Sequence, residues 1–210
     1  MKFVAISDTH GLHGQLTVPD ADTVIHAGDF CMRGTMAEAE SFLTWFSSLP
    51  HRYKIFIAGN HDFYFEKASA DELKKLIPGN LIYLNDSGVT IEGINIWGSP
   101  IQPWFFDWAF NRQRGAEIKK HWDLIPANTD ILVVHGPAAG MLDTIHSGEP
   151  VGCQDLLEAV NRVKPPAFIC GHIHESYGEK TVNGTHYINA SSLNRQYKLA
   201  HAPVLFEIPN

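Results

Sequence analysis

A chain of 210 residues, 44% hydrophobic and 19% charged, has the size and composition to bury a substantial core, which argues against wholesale disorder. Its formal charge of −7, without any Lys/Arg cluster, disfavours a long nucleic-acid duplex as partner but leaves room for a small anion held by a metal. Three widely spaced cysteines (Cys31, Cys153, Cys170) form no C-x-x-C pair, which counts against a disulfide framework or cysteine zinc site and favours a reducing compartment.

In chain order, "KFVAIS" (2–7) is an apolar β-type run that ends in Asp8 and His10, and "DTVIHA" (22–27) runs into Gly28 and Asp29. A helix is predicted over 35–49, where Phe42, Phe46 and Leu49 share a face. "YKIFIA" (53–58) delivers Gly59, Asn60, His61 and Asp62, and Ser69 with Glu72 forms a capping box at the start of a helix over 69–77. "VTIEGINIWG" (89–98) reads as a hairpin, and "DILVV" (130–134) ends in His135. A helix over 152–163 follows, with Leu156, Leu157, Val160 and Val163 in one stripe. "AFIC" (167–170) then runs into Gly171, His172, Ile173 and His174, and 180–190 is a hairpin turning at Asn183-Gly184. Neither repeat nor linker divides the chain, so a single domain over 1–210 is expected, in which strands alternate with helices around two sheets. No apolar stretch reaches the roughly 18 residues of a membrane span, and "MKFVAISDTHG" lacks the core of a signal peptide, so a soluble cytoplasmic protein is expected.

In folds of this kind ligands bind beyond the carboxyl ends of the strands, and all five polar clusters stand there. Histidine is over-represented, with twelve in the chain. Asp8, His10, Asp29, Asn60, His61, His135, His172 and His174 form a mixed nitrogen and oxygen set suited to Mn, Fe, Zn or Ni. They are too many for one ion, whereas two ions sharing a bridging carboxylate would use them economically. Asp8 and His10 around Thr9, and His172 and His174 around Ile173, are each expected to face one side of an extended chain. Taken singly, Asp8 is an ordinary turn residue, Asn60 a left-handed turn residue and His135 the start of a loop. The ordered set is what argues for a site.

Asp8-Thr9-His10, Gly28-Asp29, Gly59-Asn60-His61-Asp62, His135-Gly136 and Gly171-His172-Ile173-His174 resemble, in order, the motifs of the calcineurin-like metallophosphoesterases. "ISDTHG", "PWFFDWAFN", "DILVVHGPAAG", "GHIHESYG" and "YINAS" narrow the likeness to the metallophosphoesterase-domain-containing proteins related to the brain-expressed phosphodiesterases, from Lys2 to about Pro209. The resemblance implies a two-sheet α/β sandwich with a dimetal centre. One metal would be held by Asp8, His10 and His174 and the other by Asn60, His135 and His172, with Asp29 bridging. His61 would act on the leaving oxygen, and the attacking group would be a metal-bound hydroxide. The family likeness implies a small phosphodiester substrate, with 2′,3′- and 3′,5′-cyclic nucleotides as examples. A phosphomonoesterase, a nuclease on short single strands and an inactive metal-binding scaffold are the alternatives. Some animal members carry glycine where this chain has His172, and the short turn "GDFCMRG" differs from that of the protein phosphatases, against a large phosphoprotein substrate.

"PIQPWFFDWAFNRQRG" (100–115) has two readings. It is a loop packed on the domain or offering a surface for a homo-oligomer, or it is a wall of the substrate cleft. In the second, Trp104 and Phe106 stack on a base and Arg112 or Arg114 reaches a phosphate oxygen, with Arg114 the expected contact. The remaining histidines, His13, His26, His51, His121, His146, His186 and His201, fit no ligand pattern, although His26 lies close enough to the Gly28-Asp29 turn to support the site from behind. Asp62 is expected to orient a neighbour.

Overall fold

The computed structural model describes residues 1–208; Pro209 and Asn210, the end of the expected 1–210 domain, lie outside them. In chain order the elements begin β1 (Lys2–Ile6), β2 (Thr23–His26), α1 (Met36–Ser48), β3 (Tyr53–Phe56), α2 (Phe63–Lys67), α3 (Ala70–Leu76), β4 (Ile82–Tyr83), β5 (Ser87–Ile91) and β6 (Ile94–Ser99). They continue with β7 (Gln102–Pro103), β8 (Asn111–Arg112), α4 (Ala116–Trp122), β9 (Ile131–Val134), α5 (Gln154–Val163), β10 (Ala167–Cys170), β11 (Gly178–Val182), β12 (Thr185–Asn189) and β13 (Val204–Glu207).

One sheet has the order β13-β1-β2-β3-β4 and is parallel except for β13 at its edge. The other has the order β11-β12-β10-β9-β6-β5, four parallel strands with an antiparallel hairpin strand at each edge. Strand side chains alternate between faces, so Phe3, Ala5, Ile25 and Ile55 meet Ile131, Val133, Ile169 and Ile188 between the sheets. Val4, Ile6, Val24 and Phe56 face the other way, toward Phe42 and Phe46 of α1, while Leu132 and Phe168 share the outer core with Leu156 and Val160 of α5. Burial on both faces explains why the strands read as continuous apolar runs. This is the expected two-sheet α/β architecture.

Local chemistry sets the boundaries. α3 begins with the expected box, the Ser69 hydroxyl accepting the Glu72 amide at 3.3 Å while Glu72 accepts the Ser69 amide at 2.8 Å. Thr35 and Glu38 form a second box on α1. Both hairpins turn through two left-handed residues, Glu92-Gly93 and Asn183-Gly184, the geometry of tight type I′ turns. The short α2, α4, β4 and β13 are additions to the predicted elements. Among the described residues no helix is long and apolar enough to cross a membrane.

The carboxyl ends of the two sheets meet at one rim. Ser7 beyond β1 bridges to Ser191 beyond β12, the Ser192 amide donates to the Ser7 carbonyl at 2.8 Å, and the Gly171 amide donates to the His135 carbonyl at 3.0 Å.

Candidate metal centre

Leaving β1, the chain runs beside the turn that leaves β2: the Asp8 amide donates to the Gly28 carbonyl and the His10 amide to the Asp29 carbonyl, both at 3.0 Å. Asp8, His10, Asp29 and His172 all have left-handed backbones, with φ of 52°, 39°, 57° and 66°. Such conformations are costly for residues with a Cβ and persist only where neighbours over-determine them. Asp62 supplies much of that determination. Its carboxylate accepts the amides of Asp29 and Cys31 at 2.9 Å each and of Gly59 at 2.7 Å, tying the turn after β2 to the turn after β3. Gly28 and Gly171 are required for close approach. A Cβ on Gly28 would lie 2.7 Å from His135 Nδ1, and one on Gly171 would overlap Asp8 Oδ2 and Ser7 Oγ.

These turns correct the expectation of extended alternation. Asp8 and His10 are brought together by left-handed turns, and His172 and His174 diverge because His172 is left-handed and His174 opens a 3₁₀ turn over 174–176. Ligand-type atoms of Asp8, His10 and His174 lie within 4.8 Å of one another, as do those of His10, Asp29 and His61, and those of Asp29, His135 and His172. Asp29 Oδ2 stands 3.7 Å from His10 Nε2 and 3.3 Å from His135 Nε2, between the outer two groups. Asn60 Oδ1 lies 2.9 Å from His135 Nε2, and Asp8 Oδ1 3.3 Å from His174 Nε2.

The histidine tautomers follow from their outer partners. Nδ1 of His10, His61, His135 and His174 faces the carbonyl of Cys31, Met32, Ala27 and Asn194 respectively, at 2.8–3.1 Å. A carbonyl only accepts, so each Nδ1 carries the hydrogen and each Nε2 faces inward. His10 Nε2 is buried without a hydrogen-bond partner and looks toward a carboxylate oxygen. A buried lone pair facing a carboxylate is an arrangement that a cation between them would satisfy, and two convergent sets of N and O atoms with Asp29 between them fit a pair of divalent transition-metal ions.

The family model described as calcineurin-like phosphoesterase matches residues 1–176. The chain belongs to that family. Metallophosphoesterase domain-containing protein 1 of Homo sapiens is 41% identical over 99% of this chain and 71% of its own length. A UPF0046 protein of Caenorhabditis elegans is 37% identical over 100% of this chain and 76% of its own. The solved structure of TT1561 from Thermus thermophilus shares the fold at a TM-score of 0.61 and 14% identity, with 95% of this chain and 96% of that one covered.

In this phosphoesterase the metal-ligand candidates shape one another's protonation. Burial alone would raise Asp8, but His174, His135 and His10 around it hold it well below the usual carboxylate range. Asp29 is likewise lowered against its burial, by His135 first. Burial lowers His10 to about 4 and His172 to about 3. His135 goes the other way: burial opposes its charge, but the Asp29 carboxylate raises it to about 9. Burial and the nearby Asp29 push Asp62 up to about 8, against the pull of its amide donors.

Several contributors lie outside the predicted set. Ser191 donates to Asp8 Oδ2 at 2.8 Å while the His172 amide donates to both Asp8 oxygens at 3.0–3.1 Å, so a carboxylate of one sheet is fixed by the other. Asn189, beside it in "YINAS", donates to the Ile173 carbonyl at 2.8 Å. His26, which fits no ligand pattern, stands behind the site: it accepts the Gly28 amide on Nδ1, so its Nε2–H donates to Thr9 Oγ1 at 3.0 Å. Tyr197, with a left-handed φ of 56°, sets its ring 5.0 Å from that of His10 and 5.2 Å from that of His174.

A cavity of about 430 Å³ opens over the centre, lined by Asp29, Asn60, His61, His172 and His174 with Trp104, Phe105, Trp108, Arg114 and Tyr197 among its walls. Of the expected substrate contacts, Trp104 is at the wall, but Phe106 is absent from the lining and is 76% exposed. Its carbonyl is held by Asn111 Nδ2 at 2.8 Å, with the backbone left-handed at φ 47°. Arg114 lines the cavity with one hydrogen of each terminal nitrogen donated to the carbonyls of Gly152 and Val151 at 2.8 Å, which fixes its guanidinium and leaves three of its five N–H donors uncommitted. Arg112 donates to the Asn111 carbonyl.

Proposed function

We propose that the protein is a dinuclear metal-dependent phosphodiesterase acting on a small phosphodiester. Asp8, His10 and His174 would hold one cation, Asn60, His135 and His172 the other, and Asp29 would join both. Two divalent ions, when bound, supply Lewis acidity toward a phosphoryl oxygen and make water a nucleophile at neutral pH.

The chain's own residues do the rest. Two carboxylates offset half the charge of two divalent ions, which leaves a site that attracts an anion. Asn60, with Oδ1 turned to the centre, keeps its Nδ2 protons for a phosphate oxygen. His61 has Nδ1 committed to the Met32 carbonyl, so in its protonated form the Nε2–H is the one available to the leaving oxygen.

The observation that carries the diester reading is the charge of the cavity wall. Among the described residues that line it, Arg114 is the only Lys or Arg, with two of its five N–H donors tied to backbone carbonyls, while Trp104, Phe105, Trp108 and Tyr197 offer apolar surface. A phosphomonoester dianion gains from a cluster of cationic side chains, and this wall offers a single one. A diester monoanion with organic groups on both sides suits it, and nucleotides, cyclic ones included, fall in that class. The three cysteines, free and buried, support a reducing cytoplasmic setting.

The test is turnover of bis-p-nitrophenyl phosphate against p-nitrophenyl phosphate on metal-stripped protein with Mn²⁺ added back, then of 2′,3′- and 3′,5′-cyclic nucleotides. Preference for the diester is expected. Preference for the monoester replaces the reading with a phosphomonoesterase, degradation of short oligonucleotides alone with a nuclease, and metal binding without turnover with a scaffold.

A further inference from the structure

We propose that Trp108 is a positioning residue for His61, and that the segment 104–110 serves the site as a brace for that ring. The inference rests on the role given above to His61. It starts from what one hydrogen bond can and cannot fix. The bond from His61 Nδ1 to the Met32 carbonyl, 2.8 Å long, sets the tautomer and one axis of the ring. Rotation about that axis stays soft, and it swings Nε2 across the cavity. Two rings block it. The indole of Trp108 stacks on the imidazole face with centroids 4.3 Å apart and planes 29° from parallel. The imidazole of His10 meets it edge-on at 4.6 Å and 84°.

The brace is anchored at both ends of this stack. Trp108 is only partly buried, within a run whose residues 104–107 are exposed, so bulk packing does not account for its placement. Its neighbours do. The amide of Ala109 donates to the carbonyl of Asn60 at 3.2 Å, which ties the residue after Trp108 to the residue before His61. The next amide, of Phe110, donates to Glu66 at 2.7 Å, and Glu66 lies on α2, the helix that begins just after His61. Asn111 Nδ2 closes the loop onto the carbonyls of Phe105 and Phe106 at 3.2 and 2.8 Å. Phe63, also on α2, packs on the indole at 5.8 Å. The aromatic segment and the Asn60-His61 turn are thus fastened together, so the indole is held where it restrains the imidazole.

The experiment compares Trp108→Leu, which keeps apolar volume without a flat face, with Trp108→Phe, which keeps a face. Substrates are bis-p-nitrophenyl phosphate, whose leaving group needs little help, and diphenyl phosphate, whose leaving group needs a proton. With full metal content confirmed, Trp108→Leu is expected to lower kcat on diphenyl phosphate by about 10- to 100-fold, the scale of a misplaced catalytic group. The loss on the nitrophenyl ester should be smaller, KM near wild type, and Trp108→Phe should recover most of the rate. In Zn²⁺-loaded protein the His61 Nδ1–H resonance, assigned by its loss in His61→Ala, should be visible in wild type and Trp108→Phe and be lost to solvent exchange in Trp108→Leu. Equal losses on both esters, an effect on KM alone, or a persistent Nδ1–H resonance in Trp108→Leu overturns the proposal. If the wild type hydrolyses neither ester, the phosphodiesterase reading fails by itself, and the resonance still decides whether Trp108 holds His61.

Discussion

Metal-stripped protein at pH 7 should hold a proton that an incoming cation must displace, and His135 is its seat. Its Nδ1–H is committed to the Ala27 carbonyl, and Nε2 faces two oxygens, Asn60 Oδ1 at 2.9 Å and Asp29 Oδ2 at 3.3 Å. Burial opposes a charge there, yet the Asp29 carboxylate raises the imidazole to about 9, so two units lower it is almost fully protonated. His10 near 4 and His172 near 3 are neutral at that pH and release nothing. A cation bound through His135 Nε2 therefore ejects about one proton at pH 7, and its apparent affinity should rise about tenfold per pH unit up to about pH 9. Each unit is about 1.4 kcal/mol, so the proton costs the site on the order of 3 kcal/mol of affinity between pH 9 and pH 7. His174, in the other cluster, is raised as well: burial opposes its charge, but its bond to Asp8 outweighs that. Isothermal titration of stripped protein with Mn²⁺, in buffers of differing ionisation enthalpy, counts the protons directly. The sign for folding is the opposite. A histidine raised above its unfolded value stabilises the stripped protein fully below about pH 6.5, and that contribution is lost as pH rises through about 9. Release of no proton at pH 7, or an affinity flat from pH 7 to about 8.5, would refute the assignment of His135 Nε2 to the centre.

Asp29→Ala removes the carboxylate that stands between the two outer clusters, and bound metal measured by mass spectrometry should fall from two equivalents to nearly none; retention of both would end the bridging role. His61→Ala should leave metal content unchanged and slow turnover of a diester with a poor leaving group by about 10²–10⁴-fold, the range for a lost acid–base group. Gly171→Ala drives a Cβ into Asp8 Oδ2 and Ser7 Oγ. Overpacking of that kind costs about 1–3 kcal/mol, so the thermal midpoint should drop and metal bound through Asp8 should be lost together.

The sheets were legible because their physics is simple. Parallel strands covered on both faces must be apolar throughout, so each shows as a run, and the first polar residue after the run marks the rim. That is why Asp8, Asp29, Asn60, His135 and His172 can all be placed at strand ends from sequence. Elements that draw on neighbours were not legible: α2 has 5 residues and α4 has 7, too few for a periodic pattern. Ser191 and Tyr197 escaped for a related reason. They come from the irregular stretch after β12, and their distances from Asp8 and His10 depend on how the second sheet sits on the first, which no spacing within one segment encodes. "YINAS" was a recognisable signal there, but not one that says what its serine bonds to.

The H-x-H pair has a sharper lesson, because its two histidines part while Asp8 and His10 of the D-x-H pair stay together. Extended alternation would have aimed His172 and His174 the same way, toward one ion. Left-handed turns at Asp8, His10, Asp29 and His172 instead let five short segments distribute their donors over two adjacent clusters. Each such residue costs about 1–3 kcal/mol when nothing holds it. Here Asp62 holds the turns after β2 and β3, and Ser191 with the His172 amide holds Asp8 across the sheet boundary. The carboxylate that contributes to the first cluster is therefore also a tie between the two sheets. Sheet packing and cluster geometry share the same atoms, so neither can shift without straining the other, and the distance between the two clusters is set by the packed core beneath them.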